Sequence, residues 1–200
     1  MTDEWSARLA SAEAAATKAI SLAPQHAASH LILGRLQIFT NRTAQGIAEC
    51  QRALTLDRNL ADAYAVIGLA ELIRGHPEQT ETEVNEALRL SPRDHRANVW
   101  MHFVGAAKLH LGDDEGAVAC FRRAIEINPN FSITHFYLAA ALALLGRREE
   151  ARFTVQTGLG LNPTFTIKRL RAGAASDNPI YLAQRERDYE GMRKAGLPEE

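Results

Sequence analysis

Small and large apolar residues alternate along this chain at helical spacing, and the alternation itself repeats. In the stretch NVWMHFVGAAKLHLGDDEGAVACFRRAIEINPNF, from Asn98 to Phe131, apolar positions recur at steps of three and four. That spacing places them on one side of a helix. The pattern predicts one helix ending near His110–Gly112 and a second from about Asp114 to Ile127. Slid along the chain, the stretch recurs. Pro129 has a counterpart 34 residues later at Pro163 and another 37 earlier at Pro92. Arg58 stands 34 before Pro92, and Pro24 stands 34 before Arg58.

Four blocks follow from this period: 27–60, 61–94, 98–131 and 132–165, with His95-Arg96-Ala97 as a three-residue excess. Small residues repeat where two helices must approach. The eighth place holds Gly34, Gly68, Gly105 and Ala139; the twentieth holds Gly46, Thr80, Ala117 and Ala151. Large apolar residues fill the places between, as in Leu33, Ile67, Val104 and Leu138, or Leu54, Leu88, Ile125 and Leu159. Close-packed helix pairs need this interdigitation. The fifteenth place carries Asn41, Gly75, Gly112 and Gly146, residue types that accept the positive φ at a helix end. Thr43, His76-Pro77 and Asp113-Asp114 then open the second helices. Pro92, Pro129 and Pro163 close their units, while Arg58 departs and leaves Asp57–Asn59 as the turn signal.

The flanks depart from the period. Residues 1–26 read as a half-repeat or capping helix, Asp3 to Leu22, with Trp5, Leu9, Ala12, Ala16, Ala19 and Ile20 on one stripe. Residues 166–200 read as capping helices. Thr164–Ala174 is expected to be helical, and Asn178-Pro179 is a cap and first-turn pair for a last helix, Pro179–Ala195. A polar-backed last helix suits the end of a stack, which otherwise exposes an apolar face. The fold class expected is all-α.

Composition narrows the function. With 46% hydrophobic residues among 200, the chain has material for a substantial core. A net charge of −1 lacks the basic excess of a nucleic-acid protein, so no nucleic-acid partner is expected. No apolar run reaches the ~18 residues of a membrane span, and MTDEWSARLA lacks the layout of a secretory signal. These features predict a soluble cytoplasmic protein with no membrane partner. Cys50 and Cys120 fall at the same place in two non-adjacent blocks and are expected as separate, buried thiols.

The repeated residues resemble the tetratricopeptide repeat family, whose unit is a helix–turn–helix of about 34 residues stacked into a right-handed α-solenoid. The resemblance covers 27–165 as four repeats, with flanking helices as half-repeats or caps. Place four, often Trp in the family, is His30, Tyr64, Met101 and His135; place eleven, often Tyr, is Gln37, Glu71, Lys108 and Leu142. The excess before Asn98 is expected to add nearly one turn to the third repeat's first helix. The phrases LRLSPRDHRA, INPNFSITHFYLAAALALLGRREEAR, NPTFTIKRLR and YEGMRKAGLPE also resemble C-terminal repeat modules of bacterial class III adenylate or guanylate cyclases and winged-helix regulators.

The family resemblance implies a concave groove lined by the first helices. It places Leu31, Arg35, Phe39, Val66, Leu69, His102, Phe103, His110, Phe136 and Tyr137 there as partner-binding residues. Repeats that hold chaperone C-terminal tails carry Lys and Asn where this chain has Leu31 and Arg35, which disfavours that partner class. The expected function is a protein–protein interaction scaffold taking a helix or apolar peptide in the groove. Two alternatives stand beside it: the groove filled by the protein itself or by a second copy in a homodimer, and a regulatory module of a bacterial signalling protein whose output domain is absent.

Chemistry adds little. His102 and His110 share a helix face, but no third ligand falls in register for zinc, so no metal is expected. Asp113-Asp114-Glu115 suits capping and the helix dipole. No GxxxxGK[ST], GxGxxG after a strand, HExxH or GxSxG occurs, so neither an enzyme nor a cofactor is expected.

Overall fold

The structure, a computed structural model, describes residues 2–200, with side chains from Ala7 onward. Trp5, placed on the first stripe by its spacing, lies outside the described side chains. Among the described residues the secondary structure is entirely helical. The order is α1 (Thr2–Leu22), α2 (Ala27–Phe39), α3 (Thr43–Leu56), α4 (Ala61–Ile73), α5 (Pro77–Leu90), α6 (Ala97–His110), α7 (Asp114–Ile127), α8 (Ser132–Leu144), α9 (Arg148–Leu161), α10 (Ile167–Ala172) and α11 (Pro179–Ala195).

Local chemistry sets the boundaries. Asn41, Gly75, Gly112 and Gly146 all take positive φ, between +60° and +85°, and turn the chain out of each first helix. Asp113 caps α7 by accepting the Gly116 N–H at 2.9 Å. Asn178 caps α11, accepting from the N–H groups of Ile180 and Tyr181, with Pro179 in the first turn.

Packing follows the small residues. A Cβ on Gly34 would sit 2.7 Å from the Gly46 carbonyl oxygen, and one on Gly105 would sit 2.5 Å from the fully buried Phe121 ring. The pairs α2/α3, α4/α5, α6/α7 and α8/α9 are therefore the tightest contacts, and each second helix also packs on the next first helix. Stacked this way, the units form an α-solenoid whose core falls into three clusters of buried side chains. Trp100, Phe121, Phe136 and Tyr189 are among its largest buried side chains. Burying one such ring stabilises the fold by about 1.5–3 kcal/mol. Cys50 and Cys120 are free and buried, and burial pushes the Cys50 thiol up to about 12.

Two expectations need correcting. The three-residue excess does not lengthen α6 by a turn: α6 has 14 residues, against 13 in α2, α4 and α8. The extra residues form a turn in which Asp94 Oδ1 accepts the Arg96 N–H at 2.9 Å. That side chain satisfies the turn's backbone donor, which removes the need to extend the helix. Likewise only Ile167–Ala172 is helical within 164–174. Its first two N–H groups are taken by Pro198 O at 2.9 Å and Glu199 O at 3.0 Å, so the C-terminal residues tie it down.

Candidate interaction face

The first helices α2, α4, α6 and α8 touch one another in series and make one common face. Its two halves differ. The far half, over α6 and α8, carries α11, which packs mainly on α8 and less on α6 and α9. The approach is close enough that a Cβ on Gly191 would sit 2.8 Å from the Ala140 carbonyl oxygen. Tyr189, Met192 and Ala195 enter the core beside Tyr137, Ala140 and Leu142.

Polar contacts hold the rest of α11. Arg187 donates to both Asp114 oxygens, at 2.7 and 2.6 Å, and to the Leu109 carbonyl at 3.1 Å. His110 Nε2 and Asp188 Oδ2 share a hydrogen bond of 3.0 Å. Asn178 and Gln184 donate to the carbonyls of Arg74 and Gly75, at 3.2 and 3.4 Å. The helix is thus fastened at the ends of both α4 and α6.

The near half, over α2, α4 and the start of α6, is covered only at its edge, where Tyr181 of α11 joins the buried cluster beneath it and the Asp177 N–H donates to Asn41 Oδ1 at 3.4 Å. Ile32 and Phe39 on α2 are 50% and 47% exposed. Val99 and Phe103 on α6 are half-buried. Between these two strips lies Asp62, in the first turn of α4. Arg35 donates to its Oδ2, Trp100 Nε1 donates to Oδ1 at 3.0 Å, and Arg96 Nε stands 3.3 Å from Oδ1. Burial and the neighbouring Arg35 charge both lower the Arg96 pKa.

The residues expected on the groove therefore fall into different settings. Arg35, Phe39 and Phe103 lie on the near half. Leu31, Val66 and Leu69 are buried in the core cluster beneath it. His102 is boxed by Phe103, Phe121, Phe131 and Tyr137, with Nδ1 3.1 Å from Thr134 Oγ1; burial pushes its pKa down to about 4. His110 and Tyr137 are claimed by α11 and the core around it, His110 by Asp188. Phe136 turns away from the common face. It stacks on Phe165 at 3.8 Å and lies against Gly158 of α9, where a Cβ would sit 2.6 Å from the ring.

Arg96, Trp100 and Asp188 were not singled out by sequence reasoning as members of this face. A signal existed for two of them: Arg96 sits in the only insertion between the blocks, and Asp188 is a charge on the inward stripe of α11. Such a charge needs a buried partner. Among the described residues no group of three or more His, Cys, Asp or Glu side chains is arranged to hold a metal ion, and no helix is long and apolar enough to cross a membrane.

A family model described as TPR repeat matches residues 105–146, and the rest of the chain is similar to it in helix pairing and fold. The chain is 26% identical over 208 residues to a peroxisomal targeting signal receptor of Kluyveromyces lactis, a match over 88% of this chain and 37% of the receptor. It thus spans little more than a third of that relative's length. Among solved structures it is similar to PilW, a type IV pilus biogenesis factor, with TM-score 0.73 and 16% identity over 96% of this chain and 86% of that one. It is also similar to YrrB, a TPR protein with an unusual peptide-binding site, with TM-score 0.60 and 23% identity over 90% of each chain. These structural likenesses bear on the fold.

Proposed function

We propose that residues 27–165 form a non-catalytic solenoid, flanked by caps at 1–26 and 166–200, that receives a partner helix or extended apolar peptide on the near half of the common face. One observation carries this reading: Ile32 and Phe39 stand exposed on a single stripe of α2, and α6, joined to α2 through α4, adds the half-buried Val99 and Phe103. Large apolar side chains gathered on one surface mark interfaces. That YrrB is a TPR protein with a peptide-binding site makes the same use of the fold here a natural one.

The test selects binders from a displayed library of random peptides against the wild-type chain, then against a variant carrying Ile32→Lys and Phe39→Lys. Circular dichroism reports whether the helices are kept. Loss of the selected peptides with unchanged helicity is expected. Retention of every peptide by the variant overturns the reading. The far half favours a second role, because α11 already fills it: the chain supplies its own ligand there, as a regulatory module does. If a second copy covers the near half instead, light scattering finds a homodimer that the same two substitutions dissociate.

A further inference from the structure

Resting on the scaffold reading above, we infer that the Arg35–Arg96 pair binds an acidic side chain, Asp or Glu, flanked by apolar residues within the partner peptide. The starting point is a surplus of donors. Asp62 is the carboxylate that receives the two guanidiniums, which reach it from α2 on one side and the start of α6 on the other. One of its oxygens is also taken by Trp100. Arg35 Nε is buried without a hydrogen-bond partner, and Arg96 Nε, also buried, has only its 3.3 Å ion-pair approach to Asp62 Oδ1. Asp94, the other nearby acid, is occupied by the Ser91 hydroxyl and the Arg96 backbone N–H.

Two guanidiniums this close repel each other, and that repulsion contributes to the lowered Arg96 pKa. A buried donor left unmade is costly, whereas a guanidinium fork bound to a carboxylate is among the strongest polar contacts. The two Nε atoms are sealed from a ligand, but the Arg35 and Arg96 side chains keep 24% and 30% of their surface open, and a further carboxylate meets those open guanidinium edges. Arg96 comes from the three-residue excess, so this arrangement is not the Lys and Asn pattern that grips chaperone tails. The extra residues absorbed in the turn before α6 have a use: they deliver the second arginine.

Geometry selects the kind of carboxylate. Arg35 lies between Ile32 and Phe39 on α2, and Arg96, the residue that precedes α6, stands three and seven before Val99 and Phe103 on that helix. Apolar surface thus continues on both sides of the arginine pair. A peptide lying along it places its charge in the middle of an apolar run, as an internal Asp or Glu does and a chain end does not.

The peptides selected from the displayed library provide the test. Those whose binding depends on Ile32 and Phe39 are expected to carry an Asp or Glu between apolar residues. Changing that residue to its amide should weaken binding about tenfold or more. Arg35→Gln or Arg96→Gln should cost as much, and in either variant the acid-to-amide change should no longer matter. In nitrogen-resolved NMR, the Nε–H signals of Arg35 and Arg96 should shift on binding the acidic peptide and stay put with its amide. Groove-dependent peptides that bind equally well as acid and amide overturn the arginine inference and leave the scaffold reading standing. If no selected peptide depends on Ile32 and Phe39, both fall. Should an arginine variant unfold, the acid-to-amide comparison on the wild-type chain decides alone.

Discussion

Asp188 of α11 and His110 of α6 meet through a hydrogen bond of 3.0 Å, with both side chains almost sealed from solvent. The other ring nitrogen of His110 and the other oxygen of Asp188 have no partner. The contact therefore fastens the last helix to the third unit at the cost of two orphaned polar atoms. Burial raises the Asp188 pKa, against the opposing pull of His110.

A raised carboxyl favours the folded state in its protonated form. That contribution is fully present below the ordinary Asp value of 3.8 and is lost as pH rises through the higher folded value. Asp188→Asn keeps a hydrogen-bonding group of the same shape and removes the ionisation. Its stability at neutral pH should equal or exceed that of the wild type. Asp188→Ala strands His110 without a partner and should cost about 1–3 kcal/mol. Urea unfolding at neutral pH compares the three. An Asn variant as unstable as the Ala variant would contradict this account.

His102 has the opposite sign. Its folded pKa, about 4, lies below the ordinary 6.5, so the unfolded chain takes up a proton that the folded chain refuses. The stability it contributes is present above 6.5 and falls away as pH drops toward 4. The full loss is about 3 kcal/mol, from about 1.4 kcal/mol per pKa unit. His102→Phe, which keeps the ring among its aromatic neighbours, should flatten the stability profile between pH 6.5 and 4. A profile as steep as the wild type's would place the acid sensitivity elsewhere.

Gly191 separates docking of α11 from stability of the solenoid. A Cβ there meets the Ala140 backbone, so Gly191→Ala should push α11 outward and cost about 1–3 kcal/mol. Amide exchange should speed up across 179–195 while α2 to α5 keep their protection. Gly112→Ala is the control: nothing lies within 4 Å, and only its positive φ of +81° penalises the change. Uniform loss of protection in the Gly191 variant would mean that α11 and the repeats unfold as one.

The helices and their turns were legible because the signals are local. Asn41, Gly75, Gly112 and Gly146 end four helices through their own backbone preferences, and Asn178-Pro179 starts another through its own hydrogen bonds. The 34-residue period brings equivalent small residues into each helix pair, so the stacking followed as well. The interaction face was legible only in part. Phe39 and Arg35 lie on its open half, but Phe136 lies against Gly158, a residue 22 positions away.

Sequence by itself determined an all-helical solenoid of paired helices, since period, capping and turn chemistry each act within a few residues. Tertiary structure decided which part of the common face stays open. That outcome depends on α11 folding back across 78 residues to set Asp188 against His110, and on a turn that spends three extra residues bringing Arg96 to Asp62. Neither contact leaves a periodic trace, because each joins single side chains brought together only when the whole chain is packed.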